Sequence, residues 1–80
     1  MISRMKRVRL KNTLKIHRAQ NNLTQEQLAH LVSVTRKTIN TVENGKFVPS
    51  TTLALKLASA LGARVEDLFI LEECGSSEDH

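Results

Sequence analysis

The strongest constraint on this chain is its punctuation: helix start and stop signals recur so closely that its apolar residues must be shared among several short helices. Thr24-Gln25-Glu26-Gln27 has the spacing of a capping box, in which Thr24 and Gln27 each satisfy an amide at the start of a helix. Leu23 stands just before the cap, where a hydrophobic staple belongs. The helix is expected to run to about residue 31, with Leu28 and Leu31 inward and Ala29 small enough for another helix to approach. Val32-Ser33-Val34 reads as a short turn, and Thr35 as the N-cap of a third helix over 36–44. Gly45 suits the position that terminates it. After the connector Phe47-Val48-Pro49, Ser50 caps a fourth helix. Leu53, Leu57, Ala60 and Leu61 recur along it at helical spacing until Gly62.

Upstream, a first helix is expected over about 10–20, with Leu14 and Ala19 inward and Asn21-Asn22 as its stop. Downstream, 65–71 reads as a fifth helix, or as a turn of helix leading into a strand. The domain proper is then 10–71, preceded by a basic arm over 1–9 and followed by an acidic tail over 72–80. Phe47 and Phe69 are the only aromatics, so the core must be aliphatic. A domain of 80 residues is often marginal alone, which makes self-association an expectation.

Charge is distributed unevenly. Residues 1–46 hold ten Lys/Arg against two acids, a net +8, whereas 47–80 hold two against six, a net −4. A basic half of this kind attracts polyanions. Catalytic and metal chemistry find no support. His17, His30, Cys74 and His80 lack a zinc-site spacing. There is no glycine-rich phosphate loop and no nucleophile–base pair at recognisable spacing. No enzyme, cofactor or small-molecule ligand is therefore expected. Two Phe without Tyr or Trp argue against single-strand or RNA binding by stacking. No apolar run is long enough to span a bilayer, and a lone Cys74 forms no intrachain disulfide. A cytoplasmic protein is the simple expectation.

At about 100° per residue, Ile39 and Val42 fall on one side of the third helix. Arg36, Lys37, Asn40, Thr41 and Asn44 fall on the other. Each of these outward residues can hydrogen-bond, two are cationic and none is acidic. A helix that reads base edges requires such a face, although ordinary surface helices share the apolar–polar division.

The stretch LTQEQLAHLVSVTRKTINTVENGKFVPS, followed by LALKLASALGARVEDLF, resembles the Cro/phage-repressor type helix-turn-helix family over roughly residues 10–70. LTQEQLA, the T-x-x-T-I opening of the third helix, ENGK, PS and the closing ALG…EDLF carry the resemblance together. It implies an all-α, five-helix lambda-repressor-like domain that binds double-stranded operator DNA, usually as a homodimer on an inverted repeat. Some very small members pair N- and C-terminal strands, which 6–9 and 70–72 could do here.

The resemblance places Arg36, Lys37 and Thr41, with Asn40 beside them, as base contacts. Gln25, Thr35, Thr38, Asn44 and Lys46 become phosphate contacts, and Gln25 also a buttress of the third helix. It makes Arg18 and Glu43 an architectural ion pair. The expected dimer surface surrounds Val65, Leu68, Phe69, Ile70 and Leu71. Asn22 and Ser33 stand where glycine is common, and His17 where a large apolar residue is common, so His17 is expected to pack half-buried. A transcriptional regulator, more readily a repressor, is the function implied. An antitoxin-type protein that binds a toxin and autoregulates its operon is the alternative, with a protein-interaction domain that has lost DNA contact behind it.

Overall fold

The computed structural model describes residues 8–73; what was expected of 1–7 and 74–80, including Cys74, lies outside the described residues. The elements run β1 (Val8–Asn12), α1 (Leu14–Gln20), α2 (Gln25–Leu31), α3 (Arg36–Glu43), α4 (Thr51–Leu61), α5 (Val65–Leu68) and β2 (Phe69–Glu73).

The polar caps of the middle helices form locally. Thr24 Oγ1 accepts from the Gln27 amide at 3.0 Å, and Gln27 Oε1 accepts from the Thr24 amide at 2.8 Å, a complete capping box. Thr35 Oγ1 accepts from the Thr38 amide and Ser50 Oγ from the Leu53 amide. Gly62 closes α4 at φ 65°, a left-handed conformation that costs glycine nothing.

The first helix starts later than expected. Residues 10–12 are strand, and α1 begins at Leu14. Val8-Arg9-Leu10-Lys11 alternates apolar and cationic residues with the period of a strand. Its partner is β2, antiparallel, with Val8 opposite Glu73, Leu10 opposite Leu71 and Asn12 opposite Phe69. Within the described residues the ribbon includes 8–9 and 70–72 of the expected pairing and continues to Asn12 and Phe69, and the fifth helix is the short form, a single turn leading into a strand. Asn12 is the hinge: its Oδ1 accepts from the Leu14 amide at 3.1 Å, and its Nδ2 donates to the Val42 carbonyl at 3.0 Å. Thr13 then ties the start of α1 to α5, its amide donating to Leu68 O and its hydroxyl to Asp67 O.

The core is wholly aliphatic, built from Leu14, Leu28, Ala29, Val32, Ile39, Val42, Leu53, Leu57, Ala58, Leu61 and Leu68. Three expectations fail here. Ala19 is exposed, because it lies about 140° around α1 from Leu14, while Arg18 takes the inward position. Leu31 is exposed, because α2 turns the arc of Leu28, Ala29 and Val32 to the core and leaves Leu31 on its flank. Leu68, expected at a dimer surface, is fully buried in its own core and is unavailable to a partner. His17 is half-buried, with Nδ1 3.1 Å from Thr13 Oγ1.

Two tight turns are held by residues other than glycine. Asn22 has φ 58° and Ser33 φ 60°. Asn adopts this region with little cost; Ser does so less readily, because its Cβ crowds the backbone. Ser33→Gly should therefore stabilise the domain by about 0.5–1 kcal/mol, relief of the strain outweighing the added freedom of the unfolded chain. Asn22→Gly should gain less. Chemical denaturation checks both: the midpoint should rise at constant m-value, and a fall at Ser33→Gly would refute strain in this turn.

Candidate nucleic-acid interface

The α2–α3 unit is fixed by its turn. Ser33, in the left-handed conformation, donates its amide to His30 O at 3.2 Å, and Val34 donates to Ala29 O at 3.0 Å. These bonds redirect the chain so that Thr35 caps α3 at once. Ile39 and Val42 anchor α3, at 0% and 1% exposure. Arg36, Lys37, Asn40 and Asn44 are exposed along the opposite side, with Thr38 and Thr41 half-buried beside them.

Local hydrogen bonds order part of this face. Thr41 Oγ1 donates to the carbonyls of Thr38 and Lys37 at 2.9 and 3.1 Å, which holds its hydroxyl toward the helix. Asn44 Nδ2 donates to Asn40 Oδ1 at 3.2 Å, leaving the Asn40 amide nitrogen free to donate. Thr35 and Thr38 share a hydroxyl–hydroxyl bond at 3.1 Å at the start of the helix. After α3, the Gly45 and Lys46 amides bond back to Val42 O and Thr41 O, and the Lys46 side chain is exposed. Arg36 and Lys37 make no ion pair among the described residues.

A buried charge cluster sets the angle of α3 from behind. Arg18 Nε donates to Glu43 Oε2 at 2.6 Å and Nη2 to Oε1 at 3.3 Å, while Nη1 donates to the Leu23 carbonyl at 2.8 Å. Gln25 Nε2 adds a donor to Glu43 Oε1 at 3.0 Å. The Glu43 side chain is 2% exposed and that of Arg18 14%. α1, the entry to α2 and the end of α3 therefore meet on one carboxylate. Gln25 spends an amide proton on this buttress, and the second remains for an outside acceptor.

Of the expected dimer residues, Val65 and Phe69 are half-buried and Ile70 and Leu71 exposed. Val65 and Phe69 line, with Leu10, Val48, Pro49 and Leu55, an open apolar cleft of about 190 Å³. Asn12, which joins the ribbon to α3, was missed at the sequence level. Its position beside a period-two run was the available signal. Among the described residues no three His, Cys, Asp or Glu side chains come together as metal ligands would, and no helix is long and apolar enough to cross a membrane.

A capped supporting helix, a tight turn and a second helix that shows solvent a cationic and amide-bearing face define a helix-turn-helix DNA-binding domain. A family model described as helix-turn-helix matches residues 14–68. An uncharacterized HTH-type transcriptional regulator of Methanocaldococcus jannaschii is 50% identical over 64 residues, covering 80% of this chain and 97% of that protein. The HTH-type regulator YgzD of Bacillus subtilis is 45% identical over 64 residues, covering 80% and 97%. Among solved structures, the restriction-modification controller protein C.AhdI of Aeromonas hydrophila superposes with a TM-score of 0.64 at 35% identity, over 68% of this chain and 82% of that one. The chain belongs to the helix-turn-helix family of Cro/phage-repressor type transcriptional regulators, a DNA-binding rather than an enzymatic class, and the five helices and two-stranded sheet of its described residues have the lambda-repressor-like fold.

Proposed function

We propose that this protein is a repressor that binds an inverted-repeat operator as a homodimer, with Arg36, Lys37, Asn40 and Thr41 at base edges and Gln25, Thr35, Thr38, Asn44 and Lys46 along the phosphates. The observation that carries this reading is the solvent face of α3: Arg36, Lys37 and Asn40 are exposed in sequence order, no acid lies among them, and Ile39 and Val42 hold the helix fixed behind. A fixed helix can bring two or three side chains to defined base pairs, whereas a mobile one cannot.

Dimerisation supplies the symmetry. The apolar cleft at Leu10, Leu55, Val65 and Phe69, flanked by exposed Leu71, supports a self-complementary contact of the kind a small domain needs. Two copies so joined would set their recognition helices about one turn of B-DNA apart, roughly 34–36 Å. A dimer seated there excludes other proteins from the same stretch of promoter, which is repression by occupancy.

Selection of bound sites from random duplex DNA, with light scattering of the free protein, tests the proposal. The expected outcome is an inverted repeat with half-sites about 10 base pairs apart, centre to centre, and a dimer in solution. A selected single half-site together with a monomeric mass would overturn the symmetric reading.

A further inference from the structure

The ribbon carries a second basic surface beside α3. Antiparallel pairing puts Arg9 opposite Glu72 and Lys11 opposite Ile70, so Arg9, Lys11, Ile70 and Glu72 share one face. The Glu72 carboxylate lies between the two cations, with Oε1 3.3 Å from Arg9 Nε and Oε2 3.7 Å from Lys11 Nζ. These three side chains form one wall of a cleft of about 600 Å³; Asn44 and Gly45, at the end of the recognition helix, form another. The Asn12–Val42 hydrogen bond fixes the strand against that helix.

We propose that Arg9 and Lys11 extend the DNA-binding surface onto the flanking phosphates, and that Glu72 is an internal stand-in which a phosphate displaces. This inference rests on the DNA-binding reading above. Carboxylate and phosphate oxygens accept from the same donors. Glu43 also borders the cleft, but its carboxylate is buried and satisfied by Arg18 and Gln25, which leaves Glu72 as the exposed acid among the lining residues. The side chains of Arg9, Lys11 and Glu72 are 70%, 57% and 40% exposed. Ion pairs this exposed are weak, so exchanging one carboxylate for a duplex phosphate costs little and releases counterions from the DNA. The contact carries no base information; it adds affinity and fixes orientation along the duplex.

The test uses the full chain and a mixed-sequence duplex of about 30 base pairs, with binding followed by fluorescence anisotropy over a range of salt. Losing two phosphate contacts should make the slope of log K against log salt shallower by about 1.8. That is the expectation for the double variant Arg9→Gln, Lys11→Gln, whose deficit in affinity should widen roughly tenfold as salt falls from about 200 to about 50 mM. The charge-preserving pair Arg9→Lys, Lys11→Arg should keep the wild-type slope, which separates charge from ribbon integrity. Glu72→Gln should bind several-fold more tightly than wild type. An unchanged slope in the double Gln variant, with wild-type binding intact, overturns the ribbon contact alone. Equal or weaker binding by Glu72→Gln overturns the stand-in role. Failure of the wild-type protein to bind duplex DNA overturns both this inference and the DNA-binding reading.

Discussion

Removing Arg18 should cost the domain about 4 kcal/mol of folding stability, and removing Glu43 about 3 kcal/mol. Both figures come from the price of stranding a charge away from water rather than from the worth of the pair itself. Arg18→Ala leaves the Glu43 carboxylate, 2% exposed, with Gln25 as its remaining side-chain donor. Glu43→Ala leaves Arg18 bonded to Leu23 O and, at 14% exposure, within partial reach of water. The order of the two losses is therefore part of the expectation. Total stability for a chain of 80 residues is about 4–12 kcal/mol, so either change approaches the threshold of unfolding. The double variant Arg18→Ala, Glu43→Ala should lose less than the sum, because neither charge is then left alone. Urea titration of the four proteins measures this cycle. Losses under about 1 kcal/mol would mean that the pair behaves as an exposed one and does not set the angle of α3.

Arg36→Ala should leave stability nearly unchanged and damage recognition. Arg36 is exposed at the first position of α3, so its removal breaks no ion pair or side-chain hydrogen bond among the described residues. A bidentate arginine–guanine pair contributes roughly 1–3 kcal/mol of discrimination, or about 5- to 150-fold. On a selected operator the variant should lose that factor at one base pair of each half-site. On mixed-sequence DNA it should lose only about the effect of a single cation. Competition binding with operators altered one position at a time distinguishes the two. Equal weakening on every sequence would move Arg36 from the bases to the phosphates.

How much of this was legible in the sequence depended on the range of the interaction. The capping box at Thr24, the caps at Thr35 and Ser50 and the stop at Gly62 are local chemistry between residues a few positions apart, and all four form as expected. The division of α3 into an Ile39–Val42 side and a solvent side follows from helical geometry alone. The beginning of the chain was less legible. Leu10 fits a helical count from Leu14, but the strand period of residues 8–11 prevails because residues 70–73 of β2 are present to pair with them, a partner invisible to any local window. Ala19 and Leu31 read as inward by residue type; the axis of each helix, set by its neighbours, turns them out. Val32 and Ala58 went the other way, buried although one follows a helix end and the other is merely small. At the candidate interface the residue types were readable, and the resemblance supplied the Arg18–Glu43 pair and the buttress role of Gln25, whereas Glu43 as the partner of Gln25 and the reach of Asn12 to Val42 required the three-dimensional arrangement.

The ribbon also bears on how the molecule assembles. Its strands lie at the two ends of the described chain, and Arg9 meets Glu72 across 63 positions. Bringing such remote segments together has the largest loop-closure cost in the domain, so the helices should condense first and the strands zip shut last. Once closed, the described residues form a ring that ties in its outer helices: fraying of α1 or α5 must first unzip β1 from β2 and break the Thr13 bonds to Asp67 and Leu68.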